Sequence, residues 1–355
     1  MEKNKLSFLA ITLIVFIFSC KKDDTPTPVV PKVTTGVYVL NQGLYGANNT
    51  TLTYYDFVSK TQTTDYFKFI NGFGLGDTGS DFIVYGSKAY IVMNNSGYVA
   101  VMNGITAGFM DTISFKNAGI NRGPENIAGG GNYVFVSSTD GTVAVIDTFT
   151  LKIQKFITVG SNPAQMAVSG NNLYISNTGG FSASYDSTVS IIDMNTLTET
   201  GKITVGINPG SIAADNSGNL FVACTGNYGS ITPSLVKVSL SSNTVIKSVD
   251  SVVGTIRYYN NSLLTTGGYL GAANVGILNP ADLSAARPSF VVDGTSIQNP
   301  YGLDIDPATG DVYVGDAKDY VSSGQVYCFD KNGNKKFSFI VSPGISPIRT
   351  VLIQQ

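Results

Sequence analysis

One unit recurs along most of this chain, and the recurrence restricts the fold more than any other sequence feature. Three copies begin with Asn-Pro, namely NPAQMAVSGNNLYISN from Asn162, NPGSIAADNSGNLFVACTG from Asn208 and NPYGLDIDPATGDVYVGDA from Asn299. A weaker copy starts at Gly123, and SPIRTVLIQQ from Ser346 is a truncated copy. The segments VVGTIRYYNNSLLTT, DFIVYGSKAYIVMNNSG and GVYVLNQG supply further copies. Together they make seven units of about 40 to 47 residues, the period typical of propeller blades.

Each unit contains four apolar runs in which hydrophobic and polar residues alternate, as in QMAV, LYIS, TVSIID and KITVG. Alternation with a period of two indicates β-strands that bury one face. A lone four-stranded sheet leaves apolar surface uncovered, whereas copies packed around an axis bury it. The sequence therefore predicts an all-β fold, a seven-bladed β-propeller of four-stranded antiparallel blades.

The ends of the repeat array predict how the ring closes. The first unit, GVYVLNQG, begins at the second run of a unit, and Ser346 opens a first run that no further unit follows. We therefore expect the C-terminal strand to supply the innermost strand of the first blade. The prolines that open the units also suit the first residue of an innermost strand, where the missing N–H costs no ladder bond.

Composition narrows the function. The chain has no histidine, and its only glutamates are Glu2, Glu125 and Glu199. Catalytic triads with histidine and histidine-ligated zinc are therefore excluded. A net charge of −2 supplies no basic field, so we expect no nucleic-acid partner. We predict no catalytic residue, no cofactor and no metal; the enzymatic alternative is a calcium-dependent lactonase or hydrolase with oxygen ligands from Glu125, Asp77 and Asn126.

The N-terminal segment predicts export and anchoring. Residues 1–19 carry two early lysines and an apolar run that is too short to span a bilayer, which is typical of a signal peptide. The residues before Cys20 resemble a lipobox, and this resemblance implies that Cys20 is acylated. The KKDD that follows resembles the surface-export signal of Bacteroidetes lipoproteins. Residues 20–33 would then be the lipidated cysteine and a proline-rich tether, and residues 34–355 the propeller.

This organisation predicts a protein at the outer membrane that faces the extracellular side and touches the membrane only through its lipid anchor. An ordinary signal peptide followed by a polar spacer is the alternative. The two remaining cysteines, Cys224 and Cys328, lie in apolar strands of different units, so we expect two buried free thiols rather than a disulfide.

The loops that follow the second strand of each unit are longer than a hairpin needs, and they are rich in tyrosine and amides. In a propeller these loops share one face with the segments that enter each innermost strand, and function usually lies on the elaborated loops. Tyrosine with asparagine and glutamine offers flat apolar area and adaptable hydrogen bonding, which suits a large, neutral, amide-bearing or sugar-like ligand better than a phosphate. The predicted ligand-binding residues are Asn41, Gln42, Tyr45, Asn94, Asn95, Phe181, Tyr185, Tyr228, Tyr269, Tyr301, Asp316 and Tyr320.

Three arginines, Arg122, Arg257 and Arg349, lie near unit starts and therefore near the predicted channel mouth. They either meet an acidic group of a ligand or pair with acidic side chains there. The candidates for pairing are Asp77, Glu125 and Asp304.

Two family resemblances rest on these motifs. ITVGSNPAQMAVSGNNLYISN and ITVGINPGSIAADNSGNLFVACTG resemble the YVTN repeat of YncE-like propellers. GVYVLNQGLYGANNTTLTYYD, NGFGLGD with VMNNSGYVAVMN, and NPYGLDIDPATGDVYVGDAKDYVSSGQVYCFD resemble, in that order, the surface-exposed cobamide-binding propeller lipoproteins of Bacteroidetes. The second resemblance implies capture of cobalamin and transfer to a TonB-dependent outer-membrane transporter.

Three functions are therefore in competition. The first is a non-enzymatic surface lipoprotein that captures a corrinoid or another large polar ligand for such a transporter. The second is a protein-interaction or adhesion propeller, and the third is the calcium-dependent lactonase or hydrolase. The fold alone does not choose among them.

Overall fold

The computed structural model describes residues 33–180, 184–251, 253–267 and 274–354, and all structural statements below concern these residues. The predicted signal peptide, Cys20 and most of the tether lie outside them, as do Phe181 and Tyr269. Within the described residues, no helix has the length and hydrophobicity to cross a bilayer.

The strands form seven four-stranded antiparallel sheets, in agreement with the predicted fold. Blade 1 takes three strands from the start of the chain, β1 (Thr34–Asn41), β2 (Thr51–Asp56) and β3 (Thr61–Thr63). A short helix, α1 (Tyr66–Asn71), then leads to blade 2, which consists of β4 (Gly79–Tyr85), β5 (Lys88–Met93), β6 (Tyr98–Asn103) and β7 (Phe109–Ser114). A two-stranded hairpin, β8 (Lys116–Asn117) and β9 (Ile120–Asn121), leads to blade 3.

Blades 3 to 6 each consist of four strands that are consecutive in the chain. Blade 3 contains β10 (Pro124–Gly130), β11 (Tyr133–Ser138), β12 (Thr142–Asp147) and β13 (Ile153–Thr158). Blade 4 contains β14 (Pro163–Ser169), β15 (Asn172–Asn177), β16 (Thr188–Asp193) and β17 (Thr198–Thr204). Blade 5 contains β18 (Pro209–Ala214), β19 (Asn219–Cys224), β20 (Ser234–Ser239) and β21 (Thr244–Asp250). Blade 6 contains β22 (Val253–Tyr259), β23 (Ser262–Gly267), β24 (Val275–Leu278) and β25 (Ala285–Arg287).

The last blade and the last strand close the ring as predicted. Blade 7 contains β26 (Pro300–Ile305), β27 (Val312–Asp316), β28 (Ser323–Phe329) and β29 (Lys335–Ile345). The final strand, β30 (Pro347–Gln354), leaves blade 7 and pairs antiparallel with β1 over its whole length. Blade 1 therefore has the order β30-β1-β2-β3 and joins both ends of the domain.

Burial explains which strand lies where. The second and third strands of the blades are almost continuously buried, whereas the fourth strands, such as β7 and β21, are mostly exposed. Proline is the first residue of β10, β14, β18, β26 and β30, all innermost strands, as the unit starts predicted. The apolar clusters lie between blades: Val92 of blade 2 and Val136 of blade 3 belong to one of them. Cys224 and Cys328 are buried free thiols, which confirms that expectation.

Candidate functional site

The loops that follow the second strand of each blade contact the segments that enter the innermost strands, and we call these two sets of segments together the rim. The N–H of Gln42, after β1, donates to the Ser346 carbonyl, which precedes β30. The side chain of Asn94, after β5, donates to the Pro124 carbonyl at the start of β10. Because antiparallel strands alternate in direction, all such segments share one end of the ring. The predicted site residues in the described part of the chain lie at this end.

Two of the predicted residues are inside the sheet rather than on the rim surface. Asn41 is 0% exposed, and its Nδ2 donates to Thr51 Oγ1 at 3.1 Å and Thr53 Oγ1 at 3.0 Å on the neighbouring strand. Asp316 is 2% exposed and accepts backbone N–H groups of three residues, including Asn299 at 2.8 Å. Both are the last residues of a second strand; Asn41 binds the neighbouring strand, and Asp316 binds the loop that follows it through the Lys318 N–H. Neither offers an exposed surface to a ligand.

Four predicted tyrosines are exposed on the rim, and two of them form a pair across neighbouring blades. Tyr45, Tyr185, Tyr228 and Tyr320 are at least 36% exposed. Tyr185, after β15, meets Tyr228, after β19, edge to face with ring centroids 6.1 Å apart. Tyr320 meets the predicted residue Tyr301 in the same way at 5.6 Å. The rim therefore carries two aromatic pairs that the chain holds in a fixed mutual geometry.

Two of these tyrosines have a backbone conformation that is uncommon for a residue other than glycine. Tyr228 has φ 55° and Tyr320 has φ 63°, in the left-handed region that side chains other than glycine seldom adopt. Such conformations cost roughly 1–3 kcal/mol each. They recur at turns elsewhere among the described residues, for example at Lys60 and Leu151, so here they indicate tight turns. The two positions hold a large aromatic side chain where the backbone would favour glycine.

The predicted amides are half-buried and connect rim segments to one another. Asn94 Nδ2 donates to Glu125 Oε1 at 2.9 Å, and Asn95 Nδ2 donates to Asp77 Oδ2 at 2.8 Å. Gln42 Oε1 accepts the Tyr301 hydroxyl at 2.9 Å. These three amides thus retain only part of their hydrogen-bonding capacity for a ligand.

Beneath the rim, the innermost strands enclose a polar cavity of about 530 Å³ around the central axis. Two predicted ligand-binding residues, Gln42 and Tyr301, line it. Glu125, Asn126, Arg257 and Arg349, which the sequence analysis named for other roles near the channel, line it as well. The rest of the lining was missed, although a signal exists: many lining residues stand one to three positions after the opening residue of an innermost strand. The polar and charged residues of the lining are Gln42, Ser80, Asp81, Glu125, Asn126, Gln165, Thr255, Arg257, Tyr258, Tyr301 and Arg349.

An ionic network runs along one side of the cavity, over the neighbouring blades 6, 7, 1 and 2. Arg349 Nη1 lies 2.6 Å from Asp304 Oδ1, and Arg349 Nε lies 2.8 Å from Asp81 Oδ1. The second contact is an ion pair without an aligned hydrogen bond, since Nε has no acceptor in good geometry. Arg257 Nη2 approaches Asp304 Oδ1 only to 3.6 Å. Backbone N–H groups of Ile127 and Thr350 satisfy further oxygens of the two aspartates.

These contacts decide the role of the three predicted arginines. Arg257 and Arg349 pair with Asp304, as the pairing alternative proposed. Arg122 instead pairs with Asp140 at 2.5 Å and covers the Phe156 ring at 4.1 Å, outside the cavity lining.

Glu125 is the remaining ionisable carboxyl group of the lining. Burial raises its pKa to about 7; the hydrogen bond from Asn94 opposes this rise and the charge of Asp81 adds to it. Asp77, the other carboxylate of the candidate calcium site, is engaged by Gly46 N, Thr78 Oγ1 and Asn95 Nδ2. Among the described residues, no group of three or more acidic or cysteine side chains is arranged to hold a metal ion.

Comparisons with known proteins agree with this architecture. A family model described as a domain of unknown function, DUF5074, matches residues 35–342. A search of curated proteins found no match. Among solved structures, a quinonprotein alcohol dehydrogenase-like protein of Bacteroides thetaiotaomicron is similar at 13% identity and a TM-score of 0.64, over 91% of this chain and 79% of that chain.

Two other structures are similar at comparable levels. Hydrazine synthase of Kuenenia stuttgartiensis matches at 18% identity and a TM-score of 0.59, over 72% of this chain and 77% of that chain. The computationally designed protein Ika8 matches at 13% identity and a TM-score of 0.58, over 88% of this chain and 90% of that chain. At these identities the similarity establishes the fold alone.

Proposed function

The chain belongs to the DUF5074 family, and from its geometry we propose that it is a non-enzymatic binding propeller that captures a large polar ligand on its rim. The observation that carries the proposal is the pair of aromatic contacts, Tyr185–Tyr228 and Tyr301–Tyr320, at the end of the ring where the polar cavity opens. Exposed aromatic pairs of this kind give a flat ligand apolar contact area at a low cost in side-chain entropy.

A corrinoid is the ligand class that we propose. Its broad ring system carries amide side chains around the edge, which match the tyrosine hydroxyls and the remaining capacity of Gln42, Asn94 and Asn95. The motifs that resemble the cobamide-binding lipoproteins include the loop of Tyr45 and the loop of Tyr320, both exposed on the rim. The lining carries no excess of positive charge, which also favours such a ligand over a phosphate.

We further propose that the protein is anchored to the outer membrane through Cys20, faces the extracellular side and passes its ligand to a TonB-dependent transporter. Within the propeller, β1 begins at Thr34 and reaches the rim loop at Asn41, so the first described residues of the domain lie at the end of the ring opposite the rim.

Calorimetric titration of the chain without its signal peptide with cyanocobalamin tests the proposal. We expect a dissociation constant below micromolar, and a loss of at least about 10-fold in the Tyr185→Ala/Tyr228→Ala double variant, because each ring supplies stacking contact. Phe149→Ala is the matched control, since Phe149 is 91% exposed in a turn at the opposite end of blade 3. Affinity weaker than micromolar, or an equal loss in the control, would rule out the corrinoid proposal.

A protein-interaction propeller is a second candidate, and one surface favours it. Around α1, Phe69, Phe73 and Phe109 are 72%, 48% and 40% exposed, and the rings of Phe73 and Phe109 lie 5.3 Å apart. Exposed apolar patches of this kind are typical of protein contacts. If this surface binds the transporter, Phe69→Asp weakens a complex with the purified transporter and leaves ligand affinity unchanged; an unaltered complex contradicts this role.

A further inference from the structure

Among the described residues, Glu125 is a carboxyl group of the cavity lining without a cation beside it. Asp81 and Asp304 are offset by Arg257 and Arg349, which lie within 4 Å of them. Glu125, on the innermost strand of blade 3, has no lysine or arginine within ion-pair distance among the described residues. When Glu125 is ionised, its negative charge therefore has no cation within ion-pair distance, because Arg257 and Arg349 pair with Asp304 and Asp81.

The side chains that face Glu125 from neighbouring segments are neutral or acidic. Asn94 donates to it from the rim, Asp81 faces it from β4 and Tyr301 faces it from β26. Asn94 is neutral, and the Asp81 charge opposes ionisation of Glu125. The rise in the pKa of Glu125 to about 7, caused first by burial, has the same origin, since a half-buried carboxylate without a cation is unfavourable.

Arg257 stands on blade 6, three blades away around the ring and therefore across the axis from Glu125. Within the described residues, Arg257 donates one hydrogen bond, from Nη1 to the Ile256 carbonyl at 3.0 Å, and approaches Asp304 at 3.6 Å. A guanidinium has several N–H donors, so Arg257 retains donors for an acceptor in the cavity. Arg349, in contrast, is held at 2.6 Å and 2.8 Å by two carboxylates.

We propose that the cavity binds a small primary amine that carries a hydrogen-bond acceptor, with its ammonium group on Glu125 and its acceptor on Arg257. An ω-amino acid is the simplest compound of this class. The cavity volume of about 530 Å³ lies within the range of roughly 300–1,000 Å³ that small-molecule sites occupy. This inference does not depend on capture of a large ligand by the rim, because Glu125 and Arg257 lie below the exposed tyrosines.

Calorimetric titrations with β-alanine, γ-aminobutyrate and δ-aminovalerate test the assignment, with n-butylamine and butyrate as matched partial ligands. At about pH 8, where Glu125 is ionised and the amine protonated, we expect one ω-amino acid to bind better than n-butylamine, and n-butylamine better than butyrate. Binding is expected to weaken as the pH falls from about 8 to about 6, because Glu125 then takes up a proton. No binding of any amine at concentrations up to about 10 mM would overturn the proposal.

Substitutions of Glu125 and Arg257 test which end of the ligand each residue binds. Glu125→Gln keeps the hydrogen bond from Asn94 but removes the charge, and we expect it to weaken binding of every amine about 10- to 100-fold. Glu199→Gln, on the outer strand β17, is the control and should leave affinity unchanged. Arg257→Gln is expected to weaken the ω-amino acid while leaving n-butylamine unaffected.

Two results contradict the assignment even if amines bind. One is equal affinity in wild type and Glu125→Gln at a pH where wild-type Glu125 is ionised. The other is a loss of amine binding in Tyr45→Ala or Tyr320→Ala of the size seen in Glu125→Gln, which would place the amine on the rim. Circular dichroism melting of each variant distinguishes a lost site from a lost fold.

Discussion

The rim and the channel cavity are neighbours built from the same seven repeats, yet they use polar side chains in opposite ways. In the cavity, Arg349 is held by Asp81 and Asp304, and these charged groups join blades 1, 2 and 7. On the rim, Tyr45 and Tyr228 are 78% and 56% exposed. The difference indicates that stability depends on the channel, where a lost partner leaves a buried charge, while the rim can change with little effect on folding.

The largest expected effect comes from removing the strand that carries Arg349. Truncation after Gly344 removes β30, exposes the edge of β1 and withdraws the cation that Asp81 and Asp304 share. We expect loss of the cooperative thermal transition in circular dichroism, because the ring cannot close. Truncation after Ile353, which keeps the pairing of Gly36 with Ile353, is the control. A Gly344 truncation that melts like the wild type contradicts the closure of the ring by β30.

The next largest effects on the free energy of unfolding are expected for substitutions of two arginines in the same ionic network. Arg349→Gln leaves two largely buried carboxylates without their closest cation, and we expect a loss of about 3 kcal/mol in the free energy of unfolding. Arg257→Gln should cost about 1 kcal/mol, because Asp304 retains Arg349 at 2.6 Å and the Thr350 N–H at 2.7 Å. Urea denaturation measures both. Equal losses would show that the 3.6 Å contact of Arg257 is as important as the closer pairs of Arg349.

A smaller effect is expected from the pH dependence that Glu125 imposes. Its pKa is raised from 4.5 to about 7, so between these values the folded chain holds a proton that the unfolded chain has lost. The free energy of unfolding should therefore fall as the pH rises from about 5 to about 7, by about 2 kcal/mol, and stay level above that.

Glu125→Gln is expected to lack this decline, and the measurement is the difference between its unfolding curves and those of the wild type. Carboxyl groups with a lowered pKa, such as Asp319 at about 2, contribute the opposite slope only at lower pH. Parallel curves for the two proteins between pH 5 and 7 would show that the pKa of Glu125 does not differ between the folded and unfolded states.

The smallest effect on stability is expected on the rim. Tyr228→Gly removes an exposed ring at φ 55°, a conformation that glycine adopts without strain, so we expect the melting temperature to stay the same or rise slightly. The same change should reduce ligand affinity if the Tyr185–Tyr228 pair binds ligand. Scanning calorimetry with and without ligand separates the effect on stability from the effect on binding. A marked drop in melting temperature without ligand would show that the Tyr228 side chain stabilises the fold.

Much of the fold could be predicted because the repeat places equivalent residues at equivalent positions. The prolines at 124, 163, 209, 300 and 347 open innermost strands, and the truncated copy at Ser346 closes the first blade. The helix α1, which replaces a longer outer strand in blade 1, was not anticipated, since a six-residue apolar run does not distinguish a helix from a strand.

The site was less predictable. Asn41 and Asn95 both stand at the junction of a second strand and its loop, yet Asn41 is fully buried and Asn95 is half-buried on the rim. A shift of one residue along a strand reverses the face on which a side chain lies, and strand ends are the least certain feature of a sequence pattern.

The sequence by itself determined the ring, the strand that closes it, the free thiols and the absence of histidine chemistry. Only the tertiary structure decided which charged side chains offset one another between neighbouring blades, and that Glu125 has no cation beside it among the described residues. The physical reason is that strand alternation assigns a residue to a face, whereas distances across the channel depend on how the blades pack around the axis. Arg349 and Asp81 stand far apart in the chain and meet because β30 returns beside β1, next to the innermost strand of blade 2.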